Sequence, residues 1–418
     1  MKIPYAVSNF GDLRREGYFY VDKTPFLPVL EQLGGRYLLF LRPRRMGKSL
    51  FVSLLAHYYD LDLADQFDAL FQGLWVHQNP TPERNRYVIL SFDFSQVGVD
   101  GGPDVLRRTF FENARTAARD VTAKYRRHIP ELERFERELD RYDSADAMIA
   151  ELMASVRRAG HKVYVLIDEY DNFANRLLSG GQQEAYDFMS TKTGFVRSFY
   201  AALKAGTASG AVGRIFMTGV TPLLLDDVSS GFNIATHISQ DPDLNTLAGF
   251  TRAEVERALD EFLSARPHIA AQPDFHDREA LLRMLERYYD GYRFSATATE
   301  HVFNPQMVLY FLMELQSQGA FPAYLLDPNI RVDHEWAHRM SALIGTGADR
   351  CSELLETVLS GGHIESNLVR QFGVQHISPS EAFVSLLYHM GMLTLGEQPP
   401  DRHHLRFRIP NQAIRALQ

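Results

Sequence analysis

The sequence predicts an α/β fold, in which a parallel sheet covered by helices is followed by a mainly α-helical region that ends in a winged-helix-like hairpin. Short apolar segments typical of buried strands alternate with helix-length segments over residues 1–250. Strands separated by helices of this length pair in parallel and are covered on both faces. After residue 250 helical patterns dominate, and two short strand-like segments lie near the end. We therefore expect two units, residues 1–250 and residues 251–418.

Composition and charge exclude several classes of protein. The chain has 418 residues, too many for one compact core, and 45% of them are hydrophobic, as in globular proteins. The single cysteine, Cys351, excludes an internal disulfide framework and favours a reducing, cytoplasmic location. No apolar run is long enough for a membrane span. A net charge of −8 argues against coating nucleic acid by bulk charge, although a local basic patch is still allowed.

The elements of the first unit follow in chain order from the hydrophobic pattern. Continuous runs of apolar, aromatic and branched residues predict strands at residues 36–41, 87–94, 162–167, 214–218 and 235–239. Helices are predicted at residues 50–59 and 194–204. Between the second and third strands, residues 104–158 are predicted to form two helices of opposite charge.

The second unit begins with a helix-start signal. Thr251 and Glu254 form a capping-box pattern ahead of apolar positions at helical spacing. Helical patterns continue to a predicted helix at residues 379–390. Residues 393–395 and 405–409, with turn-forming residues between them, then predict a β-hairpin. Helices closed by a hairpin indicate a winged-helix-like unit.

The loop after the first strand has a phosphate-binding pattern. Residues 42–49 read RPRRMGKS and match G-x-x-x-x-G-K-[ST] except at the first glycine, where Arg42 stands. Gly47 lets the backbone approach phosphate oxygens, Lys48 reaches the β- and γ-phosphates, and Ser49 offers a hydroxyl to Mg²⁺. The tripeptide Gly47-Lys48-Ser49 on its own is better explained by chance occurrence in a basic turn. The strand before it and the helix after it favour a P-loop NTPase that binds ATP. The residues expected to bind it are Arg42, Pro43, Arg44, Arg45, Met46, Gly47, Lys48, Ser49 and Leu50.

An acidic pair follows the third strand, as in a Walker B motif. Asp168 and Glu169 come directly after the apolar residues 163–167. Ligands of open α/β sheets bind at the carboxyl ends of strands, so Asp168 is expected to face the same crevice as Lys48. Asp168 would hold Mg²⁺, often through water, and Glu169 would act as general base toward the attacking water. For Asp171 a solvated turn and a metal-binding role both remain open.

Thr218 ends the fourth strand beside both motifs. It either orients the attacking water or senses the γ-phosphate, or it is a hydrogen-bonded strand-end threonine. Glu169, Lys48 and Thr218 are therefore the predicted catalytic residues, and Ser49 and Asp168 the predicted metal ligands. Arg214 and Arg293 are candidates for the positive charge that phosphoryl transfer requires.

With these motifs in place, the chain resembles the bacterial AAA-ATPase-like family, a divergent branch of P-loop NTPases near the STAND and archaeal ATPases. The resemblance covers nearly the whole length. It rests on YFYVDKT (18–24), RPRRMGKS (42–49), VLIDEYDN (165–172), TGVTP (218–222), LAGFTRAEV (247–255), YYDGYRF (288–294), FNPQ (303–306), SLLYHMGMLTL (385–395) and IPN (409–411).

The resemblance implies an ATPase core followed by a helical, winged-helix-like region. It also implies that arginine commonly stands at the first glycine position in this family. The 18–24 segment either stacks on the adenine or packs in the core. The 288–294 segment either reaches back to the nucleotide or only ends a helix, with Gly291 as its C-cap. Members commonly continue after the IPN segment into a PD-(D/E)XK nuclease-like domain. Residues 250–418 contain no carboxylate constellation that indicates nuclease chemistry, so we expect this chain to lack that domain.

Three functions remain open from the sequence. The first is an Mg²⁺-dependent ATPase whose hydrolysis changes the posture of the C-terminal region and controls a nuclease-type effector. The second is an ATP-dependent switch or scaffold that turns over slowly and acts through a partner. The third is a DNA-binding module, based on Arg402, Arg406, Arg408 and Arg415 near the hairpin. The expected partners are nucleotide and, as alternatives, a second copy of the chain, DNA or an effector protein, with no membrane.

Overall fold

A computed structural model describes residues 1–190, 194–222, 224, 234–327, 348–369, 378–398 and 404–417. It confirms the predicted fold class. The strands are β1 (Tyr37–Leu41), β2 (Tyr87–Asp93), β3 (Lys162–Asp168), β4 (Val212–Gly219), β5 (Thr236–His237), β6 (Ile364–Ser366), β7 (Thr394–Leu395) and β8 (Leu405–Arg408).

The first five strands form one sheet with the order β2-β3-β4-β1-β5, and every neighbouring pair is parallel. The central strands are apolar and buried along most of their length, because helices cover both faces. Their carboxyl ends meet at one edge, where Leu41 pairs with Gly219 and Asp93 pairs with Asp168. The loops that follow β1, β3 and β4 are therefore neighbours.

Helices surround this sheet and are the main regular elements of the described part of the second half of the chain. In the described residues they are α1 (Phe10–Arg15), α2 (Phe26–Gln32), α3 (Lys48–Tyr59), α4 (Phe67–Phe71), α5 (Trp75–Gln78), α6 (Pro103–Tyr125), α7 (Glu131–Glu138), α8 (Ala145–Arg158), α9 (Asn172–Ser179), α10 (Gln183–Ser190), α11 (Phe195–Ala208), α12 (Arg252–Ser264), α13 (Pro267–Ala270), α14 (Arg278–Tyr289), α15 (Pro305–Gln318), α16 (Ala348–Gly361), α17 (Pro379–His389) and α18 (Gln412–Leu417). None of them is both long enough and apolar enough to cross a membrane.

The segment between β2 and β3 differs from its prediction. Residues 104–158 were expected to form two helices, whereas the structure has three, α6, α7 and α8. Pro130 caps α7, and proline cannot continue a preceding helix, so α6 ends at Tyr125. The predicted acidic helix is divided by a short 3₁₀ turn, Leu139–Arg141. Asp140 on that turn pairs with two arginines of α6.

The C-terminal elements agree with the predicted order. At the start of α12 the Thr251 hydroxyl accepts from the Glu254 amide (3.2 Å), and the Glu254 carboxylate accepts from the Thr251 amide (2.8 Å). Strands β7 and β8 pair antiparallel behind α17, as the hairpin prediction required, although part of the turn between them lies outside the described residues. The sequence analysis missed β6, which adds to β8 and has only three residues.

The two faces of the sheet pack against different partners. Leu39 and Leu41 point into a cluster with α6, α8 and α11. Leu38 and Phe40 point into a second cluster, which contains residues of α3 and also residues of the C-terminal helices and of β8. The C-terminal region therefore shares a hydrophobic core with one face of the sheet. The boundary between residues 1–250 and 251–418 stays a prediction.

Candidate functional site

The loop between β1 and α3 has the backbone that phosphate binding requires. Gly47 precedes α3 with φ +96°, a left-handed conformation that glycine adopts without strain. No side chain caps the first turn of this helix, so its leading amides are available to a ligand. The amino end of a helix attracts anions through those amides and its dipole. The local geometry thus forms a cradle for a phosphate group.

Lys48 is folded over this loop. Its side chain is buried, with 5% of the residue exposed, and its Nζ donates to the Pro43 carbonyl oxygen at 3.0 Å. Burial lowers the pKa of Lys48, while Glu169, Asp168 and Asp171 oppose that shift. The ammonium group therefore lies within the electrostatic reach of the acidic residues after β3.

Ser49 and Asp168, the predicted metal ligands, line one cavity together. Burial raises the pKa of Asp168 to about 6, and the nearby Ser49 hydroxyl opposes that shift. Hydroxyl and carboxylate oxygens are ligands that Mg²⁺ accepts, and this ion retains several waters. Within the described ranges, no group of three or more His, Cys, Asp or Glu could hold a metal ion. The pair fits Mg²⁺ completed by water and phosphate oxygens.

Glu169 occupies a strained turn directly after Asp168. Its φ is +51°, which is disfavoured for a residue with a side chain and costs about 1–3 kcal/mol. The Glu169 amide donates to Asp168 Oδ1 at 3.0 Å, and Glu169 Oε2 accepts from Asn172 Nδ2 at 3.1 Å. Residues held in such conformations are often functional, because the surroundings must enforce them.

Lys48, Ser49 and Glu169 line a cavity of about 230 Å³. Its walls come from the phosphate loop, from the N-terminal segment, from residues 247–250 and from the start of α15. Phe19, Tyr20 and Val21 of the N-terminal segment give it an apolar end, which suits a base. Of the residues predicted to bind nucleotide, the lining includes Arg45, Met46, Gly47, Lys48, Ser49 and Leu50. Arg42, Pro43 and Arg44 are outside it.

The Arg42 side chain is used within the fold. Only 1% of the residue is exposed, and the guanidinium donates to the carbonyl oxygens of Leu41 (2.9 Å), Ser239 (2.6 Å) and Leu244 (2.9 Å). It also lies between the rings of Phe40 and Phe294, 4.3 Å and 4.0 Å from their centres. Burial lowers its pKa to about 9. The expectation of a nucleotide contact is corrected for this side chain, which anchors the loop.

Asp171 matches neither expected role. Its carboxylate is fully buried and accepts from Asn175 Nδ2 (2.7 Å), the Val220 amide (3.1 Å) and both the amide and hydroxyl of Thr221 (2.7 and 2.9 Å). It therefore joins the segment after β3 to the end of β4. Thr218 is also fully buried, and its hydroxyl has no hydrogen-bond partner in the part of the chain that the structure describes. The alternative interpretations of Thr218 therefore stay predictions.

The two candidate arginines lie away from the cavity. Arg214 is near the start of β4, at the opposite end of the strand from Thr218, and its Nε lies 3.7 Å from Glu83. Arg293 donates to the Ala298 carbonyl oxygen (3.4 Å), and its amide donates to Thr394 of the hairpin (2.7 Å). Neither lines the cavity. The 288–294 segment reaches the phosphate loop through Phe294 instead.

Residues distant along the chain contact the phosphate loop, and these contacts were not predicted. A Cβ at Gly391, whose φ is +79°, would lie 2.8 Å from Pro43 Cβ. Gly249 donates its amide to the Met46 carbonyl oxygen at 3.0 Å. Asp327 Oδ2 lies 3.7 Å from a guanidinium nitrogen of Arg45. The glycines of the 247–255 and 385–395 segments were the available signal, but their contacts cannot be read from local sequence.

Comparisons with known proteins found a matching family, a relative and similar solved structures. The family described as Predicted AAA-ATPase (AAA-ATPase_like) matches residues 4–229. An uncharacterized protein in the vnfD 5′ region of Azotobacter chroococcum mcd 1 is 27% identical over 424 residues, which cover 99% of this chain and 68% of that protein. Among solved structures, a Walker-type ATPase of Pyrococcus abyssi aligns at 12% identity and a TM-score of 0.49, over 94% of both chains. The ORC2 protein of Aeropyrum pernix, solved as ADPNP-ADP complexes, aligns at 11% identity and a TM-score of 0.41, over 100% of this chain and 94% of that one.

Proposed function

Because the chain belongs to the AAA-ATPase-like family of predicted AAA-ATPases, we propose that it binds ATP with Mg²⁺ and hydrolyses the terminal phosphate. One observation carries the proposal. A single cavity is lined by the phosphate loop with its Lys48, by Ser49 and by the strained Glu169, and Ser49 lines an adjoining cavity together with Asp168. Positioning and charge stabilisation supply most of the catalysis of phosphoryl transfer, and these residue types supply both.

Each residue has a distinct role in this proposal. The amides after Gly47 and the Lys48 ammonium bind phosphate oxygens. Ser49 and Asp168 hold Mg²⁺, which neutralises phosphate charge when it is bound. Glu169 accepts a proton from the attacking water at its carboxylate. The Thr218 hydroxyl, which has no hydrogen-bond partner in the described residues, orients that water or contacts the terminal phosphate.

Lys48→Ala tests the binding step. The variant should lose stabilisation by Mg·ATP, because the cation that meets the phosphates is removed. Ligand at a hundred times its Kd raises the free energy of unfolding by about 2.7 kcal/mol. Thermal unfolding with and without Mg·ATP measures this, and Lys162→Ala, an exposed lysine at the start of β3, is the matched control. Equal ligand stabilisation of wild type and Lys48→Ala would refute the assignment.

We further propose that ATP binding and hydrolysis change the conformation of the C-terminal region. Phe294, Gly391 and Asp327 each contact a different residue of the phosphate loop. If the loop moves when phosphate binds, the C-terminal residues packed on it move as well. This movement would control an effector, which the family resemblance suggests is of nuclease type. The coupling is reciprocal, so displacing the C-terminal region should change nucleotide affinity.

A slow ATP-dependent switch or scaffold is the second candidate. The position of Arg214 and Arg293 outside the cavity favours it, because a site without a charge stabiliser turns over slowly. The DNA-binding alternative has less support. Arg406, one of the arginines on which it rested, pairs with Glu365 at 2.8 Å, and Arg402 lies outside the described residues.

A further inference from the structure

The three arginines of the phosphate loop lie in different environments. Arg42 is buried and donates to backbone carbonyl oxygens. Arg44 is exposed and does not line the cavity. Arg45 lines the cavity together with Lys48 and Glu169, and 35% of its side chain is exposed. Arg45 is therefore the arginine of this loop that a bound nucleotide can reach.

The backbone of Arg45 indicates a role for its side chain. Its φ is +66°, in the left-handed region that favours glycine. An arginine here strains the loop, and a glycine would remove the strain. Strain of this kind persists where the surroundings enforce it, and it is concentrated at ligand-binding sites. Because glycine would suit this backbone better, we infer that the arginine side chain has a role at position 45.

Asp327 holds the Arg45 side chain from the C-terminal side. The Asp327 side chain is fully buried, and its Oδ2 accepts from Tyr5 Oη (2.8 Å) and from Gln306 Nε2 (3.3 Å). The same oxygen lies 3.7 Å from Arg45 Nη1, which is longer than a hydrogen bond. The pair thus steers the guanidinium by charge and leaves its donors to be taken by an anion in the cavity.

We infer that Arg45 distinguishes a nucleoside triphosphate from a diphosphate by contacting the terminal phosphate, and that Asp327 is the positioning residue that directs it there. The inference rests on the proposed function, because it assigns a specificity to the same site. Lys48 alone supplies one positive charge to the phosphate chain, and Arg45 supplies the second from within the same chain. A planar guanidinium suits phosphate oxygens, since it can donate two parallel hydrogen bonds.

The test uses titration calorimetry on the full chain. It measures two affinities, one for a non-hydrolysable ATP analogue with Mg²⁺ and one for ADP with Mg²⁺. Arg45→Ala and Arg45→Gly should weaken the analogue by roughly 10- to 100-fold, the range of a hydrogen bond to a charged group, and should change ADP by less than about threefold. Arg45→Lys should restore part of the preference. Arg36→Ala, an exposed arginine before β1, removes the same charge and should change neither affinity.

Two further variants separate specificity from folding. Arg45→Gly should unfold thermally at or above the wild-type temperature, because the strain is relieved, so a lost preference cannot be attributed to damage. Asp327→Asn should shift the ratio of the two affinities in the wild-type background and leave it unchanged in the Arg45→Gly background, since Asp327 acts through Arg45. Equal weakening of both nucleotides, or of neither, would overturn the inference alone. Wild type that binds neither nucleotide would overturn the proposed function with it.

Discussion

Glu169 has a strained backbone and lines the cavity, and within the described residues its carboxylate accepts one hydrogen bond, from Asn172. A general base must be free to take a proton, and this arrangement allows it. Glu169→Gln keeps the shape and removes the base. We expect ATP turnover to fall by a factor on the order of 10² or more while nucleotide binding persists. Steady-state turnover and calorimetric affinity measured on the same preparation check this. An unchanged rate would remove Glu169 from the mechanism.

Asp171 provides the matched variant, because it lies two residues away and has the same charge. Four donors from Asn175, Val220 and Thr221 surround its carboxylate, so it cannot replace Glu169 as a base without losing them. Asp171→Ala should lower the free energy of unfolding by about 3 kcal/mol, since buried donors lose their partner. Its effect should appear in denaturant unfolding, whereas that of Glu169→Gln should appear in turnover.

At the residue scale the sequence could predict which chemistry is present, because Lys48, Ser49, Asp168 and Glu169 stand in recognisable motifs. It could not predict where the arginines point. Arg42 turns inward because Ser239, Leu244 and Phe294 surround it, and those residues are about 200 or more positions away in the chain. The same limit applies to Asp327, which has no motif and meets Arg45 only through the tertiary fold.

At the scale of elements, the strands of the sheet were predictable because burial on both faces produces continuous apolar runs. Strand β6 was not, since three residues give no pattern, and the division of residues 131–158 into α7 and α8 depends on a single 3₁₀ turn. The predicted hairpin after α17 is present. Its packing against the phosphate loop, through Gly391 on Pro43, depends on a contact that no local pattern encodes.

That packing leads to a prediction about the C-terminal elements. If phosphate binding and C-terminal docking are coupled, a Mg²⁺ complex of a non-hydrolysable ATP analogue should slow amide hydrogen exchange in residues 291–295 and 389–395. Coupling free energies of about 1–3 kcal/mol correspond to roughly 5- to 150-fold slower exchange. Helix α8 packs on the other face of the sheet and is the internal control. Exchange that is unaltered in both segments, or altered equally in α8, would contradict the coupling.

At the scale of the whole molecule, the remaining question is whether one chain makes a complete catalytic site. Neither Arg214 nor Arg293 lines the cavity, and Arg45, which does, is assigned to binding the terminal phosphate and not to stabilising the transition state. Related ATPases often place the nucleotide at an interface, where an arginine from a neighbour stabilises the transition state and raises the rate by roughly 10³–10⁵. We therefore expect ATP turnover per chain to rise with protein concentration or with a partner.

A hundredfold dilution series of turnover, combined with sedimentation at each concentration, measures this dependence directly. Association that completes the site should make the rate per chain fall together with the fraction of assembled protein, and Arg45→Ala should retain that dependence while binding ATP more weakly. A rate that stays fast and flat in a chain that sediments as a monomer would refute the interfacial site. Arg45 would then also supply the charge that stabilises the transition state, and its substitution should abolish turnover as well as the preference for ATP.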